Sequence, residues 1–168
     1  MCMVRLEEAK KMLNFTVGPV MSPDEVLYVA GQDAPYFRTP EFSDVVLRCE
    51  RAMLDLLHAP DGSRCVFLTA SGTGAMEAVV MDVLRPGEHV AVVNGGSFGQ
   101  RFVDLCSLHG HEVDEVCLDF GKQITREMFE SCVGDAVTAL LVNMHETSSG
   151  LLYDMSLISD FCRSRGIT

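Results

Sequence analysis

Four short apolar runs alternate with four helical stretches between Cys65 and Arg165, and this alternation limits the fold more than any other feature of the sequence. The runs are Cys65–Thr69, His89–Val93, Glu112–Leu118 and Thr138–Met144. Between and after them, Thr73–Leu84, Phe98–Leu108, Thr125–Cys132 and Met155–Arg165 carry helical spacing or helix-start signals. Strands joined through helices pair in parallel, and strands apolar throughout are covered on both sides. The expected class is α/β, a mostly parallel sheet with helices on both faces.

Upstream the pattern differs. Asn14 to Pro23 is rich in turn formers and reads as an irregular arm. Thr39-Pro40-Glu41 is a helix start: a hydroxyl cap, proline at the first helical position, then an acid. Phe42, Val45, Val46, Cys49, Met53, Leu54 and Leu57 continue at helical spacing, and Ala59-Pro60-Asp61-Gly62-Ser63 ends the helix. At the other end Arg163 and Arg165 occupy a last helical turn, Gly166 is a cap, and Ile167-Thr168 opens another strand. A chain that stops on the first residues of a strand is expected to be a fragment.

Composition excludes several classes. The chain has 168 residues, 48 % of them apolar and 22 % charged, enough for one domain with a real core. Its net charge of −11, with no basic stripe, argues against a nucleic-acid partner. No apolar run reaches the roughly 18–20 residues that span a bilayer. Met1–Lys11 lacks the apolar core of a secretory signal, so a cytoplasmic protein is expected. Seven cysteines without a CxxC pair read as reduced thiols.

In open α/β sheets ligands bind at the carboxyl ends of the strands, and three such ends carry unusual residues. Thr69-Ala70-Ser71-Gly72-Thr73-Gly74 leads into a helix, where free backbone N–H groups and two hydroxyls suit a phosphate; a plain helix cap explains the same residues. Asn94-Gly95-Gly96-Ser97-Phe98-Gly99-Gln100 sets Phe98 among glycines, where it would stack on a flat ring or pack beneath its own helix. Asn143-Met144-His145-Glu146-Thr147-Ser148-Ser149-Gly150 is dense in hydroxyls that could donate to a phenolic oxygen, or form a turn without a ligand.

Other sites fail on their requirements. A Walker loop needs a lysine, and none lies between Lys11 and Lys122; Gly72 and Gly74 are followed by Glu77, not the third glycine of a dinucleotide fingerprint. His145-Glu146 begins like a zinc-protease motif, but Ser149 replaces the second histidine. Cys106, His109 and His111 lack a fourth metal partner, so no metal is expected. The GxSxG elbow of a serine hydrolase is absent.

Taken in order, Asn14-Phe15-Thr16-Val17-Gly18-Pro19, Ser71-Gly72-Thr73-Gly74-Ala75-Met76-Glu77-Ala78, Asn94-Gly95-Gly96-Ser97-Phe98-Gly99-Gln100-Arg101 and His145-Glu146-Thr147-Ser148-Ser149-Gly150 resemble the class V aminotransferases of the fold-type-I pyridoxal-phosphate enzymes. The resemblance covers nearly the whole chain and implies residues 1–40 as an amino-terminal arm and 41–168 as the first half of the cofactor-binding large domain. It further implies that Ser71, Gly72 and Thr73 bind the phosphate of pyridoxal 5'-phosphate, that Phe98 stacks on the pyridine ring, and that Thr147 bonds the phenolic oxygen. Gly18 and Arg38 would face the substrate, a small amino donor or a 2-oxo acid such as pyruvate or glyoxylate. Relatives of this kind are homodimers.

The family's aspartate for the pyridine nitrogen, its Schiff-base lysine and its small domain have no counterpart here; Lys10, Lys11 and Lys122 match no such position. No catalytic residue is therefore assigned, and the chain by itself is expected to be inactive. Serine– or alanine–glyoxylate and 2-aminoethylphosphonate–pyruvate types are implied equally, and a cysteine desulfurase less, since it has histidine where Phe98 stands. The alternative is a non-catalytic or split module that binds a phosphate ligand or a partner subunit.

Overall fold

The computed structural model describes residues 13–168, which divide into two compact units, one up to Phe67 and one from Leu68. The first holds α1 (Asp24–Ala30) and α2 (Pro40–Leu56). Thr39 caps α2 as its sequence implies: its hydroxyl accepts the N–H of Phe42 at 3.2 Å. Glu50, buried on α2, accepts from Arg64 Nε at 2.6 Å and the Cys65 N–H at 3.0 Å, which ties the chain after the helix back onto it. Helix α1 was not anticipated; its apolar residues Val26, Leu27, Tyr28 and Val29 are all exposed, so no buried stripe announces it.

The second unit opens with α3 (Gly72–Val83) and alternates thereafter: β1 (His89–Asn94), α4 (Ser97–Leu108), β2 (Glu112–Cys117), α5 (Arg126–Cys132) and β3 (Ala139–Leu141). A two-stranded hairpin, β4 (His145–Glu146) with β5 (Leu151–Leu152), precedes α6 (Met155–Arg165). The sheet order is β2-β1-β3, parallel, with His89 opposite Glu112 and Val90 opposite Ala139.

Strand β1 is central, so both its faces are covered: Val90, Ala91, Val92 and Val93 are at most 1 % exposed. Val90 and Val92, with Ala139 and Leu141, pack against Met76 and Val80 of α3 and Phe102, Leu105 and Cys106 of α4. Ala91, Val93 and Val116 pack against Phe129 of α5 and Ile158 and Phe161 of α6, whose two rings stack at 4.6 Å. Burying each such side chain contributes about 1.5–3 kcal/mol. The period-two alternation along β1 thus serves two helical layers at once.

Two expected strands differ. Cys65–Thr69 forms no strand, and Val66, Phe67 and Leu68 are 77, 51 and 59 % exposed; an apolar run becomes a strand only beside a partner, and none pairs with it among the described residues. The run from Thr138 narrows to Ala139–Leu141, because His145 and Glu146 turn off to pair with β5. Thr168 does begin to pair: its N–H donates to Thr138 O at 3.0 Å, and Leu140 N–H donates to Thr168 O at 2.9 Å, a parallel ladder beside β3. Gly166 takes the left-handed cap before it, φ 68°.

Candidate functional site

The first singled-out segment lies at the start of α3, the second follows β1 at the start of α4, and the third follows β3; side chains link them in series. The first is the start of α3. Ser71 is the cap residue, its Oγ accepting the Gly74 N–H at 3.2 Å. The N–H groups of Gly72 and Thr73 donate to no acceptor among the described residues, and the space where Gly72 would carry a Cβ is open. The hydroxyl of Thr73 accepts from Arg101 Nη1 at 2.7 Å. Free N–H groups at the head of a twelve-residue helix, two hydroxyls with protons to donate and a guanidinium form a donor set suited to a phosphate monoester.

The second segment is the start of α4. Phe98 is half-buried, and the Arg101 guanidinium, one turn along the helix, sits 5.9 Å from its ring centroid. Arg101 therefore touches both the phosphate-suited turn and the aromatic. Gly99 permits this helix to start directly over the strand that feeds it: a Cβ there would lie 2.6 Å from Asn94 Cα and 2.7 Å from Val93 O.

The third segment is β4 and the turn after it. Glu146 is fully buried. Its carboxylate accepts the N–H of Gly99 at 3.0 Å, of Phe98 at 3.3 Å and of Ser148 at 3.3 Å, and the Ser148 hydroxyl at 2.6 Å. Ser148 Oγ in turn accepts the Ser97 N–H at 3.0 Å. The carboxylate thus caps α4 from a distant part of the chain, as a side-chain oxygen of a local cap would. Burial pushes its acid up, but the Ser148 hydroxyl and then the Gly99, Phe98 and Ser148 N–H groups outweigh burial, so it titrates below the ordinary glutamate range. Thr147, next to it, is half-buried and its hydroxyl bonds to no described residue.

Two buried donors beside these turns also lack a protein partner, Asn143 Nδ2 and Tyr153 Oη. Burial raises the Tyr153 hydroxyl's pKa and the Glu146 charge adds to this, while the nearby Gly95 N–H acts weakly in the opposite sense.

Sequence reasoning missed Glu146 and Arg101 as parts of the site. The signals were present. Glu146 is a lone acid after an apolar strand, with neighbour His145 exposed, and Arg101 stands three residues after Phe98 on one helix face. Gly18 and Arg38 belong to the first unit. Gly18 has open space around it, and Arg38 lies exposed, 5.1 Å from the Phe37 ring. Lys10 and Lys11 lie outside the described residues, and Lys122 is exposed in the turn after β2. Cys106, His109 and His111 part company. Cys106 is buried and its thiol pushed up to about 11, His109 bonds Glu77 at 3.1 Å, and His111 Nδ1 lies 3.2 Å from Glu88 O.

The family model of the class V aminotransferases matches residues 27–168. The chain is 27 % identical over 160 residues to the 42 kDa subunit of a soluble hydrogenase from Anabaena cylindrica, covering 93 % of this chain and 41 % of that protein. It is 24 % identical to an L-aspartate–glyoxylate aminotransferase from Paracoccus denitrificans, over 86 % of this chain and 37 % of the relative. Its fold matches that of an alanine–glyoxylate aminotransferase from Nostoc sp. with a TM-score of 0.80 at 19 % identity, over 99 % of this chain and 46 % of the other. The chain spans about two fifths of the length of the curated relatives it matches. With its parallel sheet, its helix layers and this match over most of its length, the chain belongs to the class V aminotransferase family.

Proposed function

We propose that the chain supplies the phosphate-binding and ring-stacking half of a pyridoxal 5'-phosphate site, in an aminotransferase that moves an amino group from a small amino donor to a 2-oxo acid such as pyruvate or glyoxylate. The observation that carries this reading is the series of contacts Thr73–Arg101–Phe98–Glu146, with Thr147 following Glu146, which assembles one donor turn, one aromatic and one free hydroxyl. When bound, pyridoxal phosphate supplies an electron sink through which an amino group can pass between carbon skeletons.

The chain's own residues would bind and orient. Ser71 and Thr73 would donate hydroxyl protons, and Gly72 and Thr73 backbone protons, to the phosphate. Phe98 would cover one face of the ring and Thr147 would donate to its phenolic oxygen. Gly18 and Arg38 are proposed to face the substrate. A homodimer is proposed as well; Val66, Phe67 and Leu68 offer an exposed apolar run for a partner to cover.

Equilibrium binding of pyridoxal phosphate and of pyridoxal to the full chain tests this. The phosphate ester should bind more tightly than the alcohol, and replacing Ser71→Ala together with Thr73→Val should remove most of that preference. Equal binding of the two, or none, would defeat the reading.

A further inference from the structure

We propose that Glu146 is a positioning residue of the cofactor site, fixing the stacking ring of Phe98 and the hydroxyl of Thr147 relative to each other without touching the cofactor. The proposal rests on the pyridoxal-phosphate reading above and assigns a role to a group that this reading leaves unused.

Three observations carry it. First, a fully buried, ionised carboxylate is costly unless every lone pair is satisfied, and here four donors converge on it. Such a group holds its surroundings to one geometry. Second, the donors come from both segments at issue. Phe98 and Gly99 are on α4, and Ser148 follows Thr147. Because Phe98 donates its own N–H to Glu146, the backbone that aims its ring is fixed directly, at 3.3 Å. Third, glycine is required where the two segments meet: a Cβ on Gly96 would lie 2.2 Å from Ser148 Oγ and 2.8 Å from Glu146 Cδ. Main chain and carboxylate therefore touch with no slack between them.

The phosphate turn is held differently. Its brace is Arg101, through Thr73, and no hydrogen bond joins Glu146 to Ser71, Gly72 or Thr73 among the described residues. Loss of Glu146 should thus disturb ring recognition and leave phosphate recognition standing. A residue that merely keeps the domain folded would affect both together.

The experiment compares the wild-type full chain with Glu146→Gln and with the milder Ser148→Ala, which removes one partner of the carboxylate and should fold even if the first variant does not. Affinity for pyridoxal phosphate and for pyridoxal, circular dichroism of the bound chromophore, and phosphorus NMR of added inorganic phosphate are read for each. In Glu146→Gln the amide nitrogen meets N–H donors where an oxygen was, so affinity for both ring compounds should fall at least about tenfold. The chromophore's dichroism should change, and the inorganic phosphate response should not. Ser148→Ala should shift the same readouts in the same sense by a smaller factor.

Unchanged ring affinity and dichroism in both variants, with wild-type binding intact, would overturn this proposal alone. Equal loss of phosphate and ring binding in Ser148→Ala would overturn it in favour of a purely structural role. Absence of pyridoxal phosphate binding by the wild-type chain would overturn the underlying reading, and this proposal with it.

Discussion

The backbone nitrogen of Gly99 lies 3.0 Å from a carboxylate oxygen of Glu146, forty-seven residues further along the chain. This contact joins the start of α4, the helix after the central strand, to strand β4, and it does so with a charge that has no access to water. Its strength depends on that charge: a hydrogen bond to an ionised acceptor is about twice as strong as a neutral one.

Stability should therefore fall in acid in a way traceable to Glu146. Its acid is held below the ordinary range in the folded chain, so the unfolded chain binds its proton first as pH drops. The contribution is whole above the unfolded value, near 4.5, and is lost as pH falls through the folded value. Urea unfolding should show the Glu146→Gln variant less stable than wild type at neutral pH by roughly 1.5–3 kcal/mol, with the gap closing in acid. A gap independent of pH would refute the assignment.

Gly99 and Gly72 should respond oppositely to alanine. At Gly99 the added carbon meets main-chain atoms of β1 at 2.6 and 2.7 Å, so α4 must shift, at a cost of about 1–3 kcal/mol. At Gly72 nothing lies within 4 Å, so alanine should leave stability unchanged or raise it by up to about 1 kcal/mol. It should nonetheless weaken pyridoxal phosphate binding by crowding the approach of the phosphate. Melting curves and titrations on the two variants separate these effects.

Arg101 should matter through its shape as well as its charge. Arg101→Ala should weaken pyridoxal phosphate binding about tenfold or more, by loss of a charge beside the phosphate turn and of the support to Thr73. Arg101→Lys keeps the charge but not the planar fork, so it should restore only part of the affinity. Full restoration by lysine would show that the Thr73 bond contributes nothing.

Phe129 and Phe98 offer a contrast between core and site. Phe129, fully buried and stacked on Phe161, should cost about 3–5 kcal/mol when changed to alanine. Phe98→Ala should cost less in stability, and should weaken ring binding by about 0.5–1.5 kcal/mol if the ring stacks there. Denaturant midpoints and pyridoxal titrations measure both.

The residue pattern determined a good deal without coordinates. Apolar runs separated by capped helical stretches are enough to demand a parallel sheet between two helical layers, and β1 with its four buried residues answers that demand. Caps are local, so Thr39 and Ser71 each occupy the helix start that the order of residues implies. Tertiary structure alone decided which apolar run becomes a strand, because pairing needs a free neighbouring edge; Val66-Phe67-Leu68 has the composition and, among the described residues, no partner. It also decided that an acid which sequence reads as half of a failed metal motif is the buried cap of another helix. Hydrogen bonds between residues forty-seven positions apart leave no periodic trace, and only the folded chain brings Glu146 to Gly99.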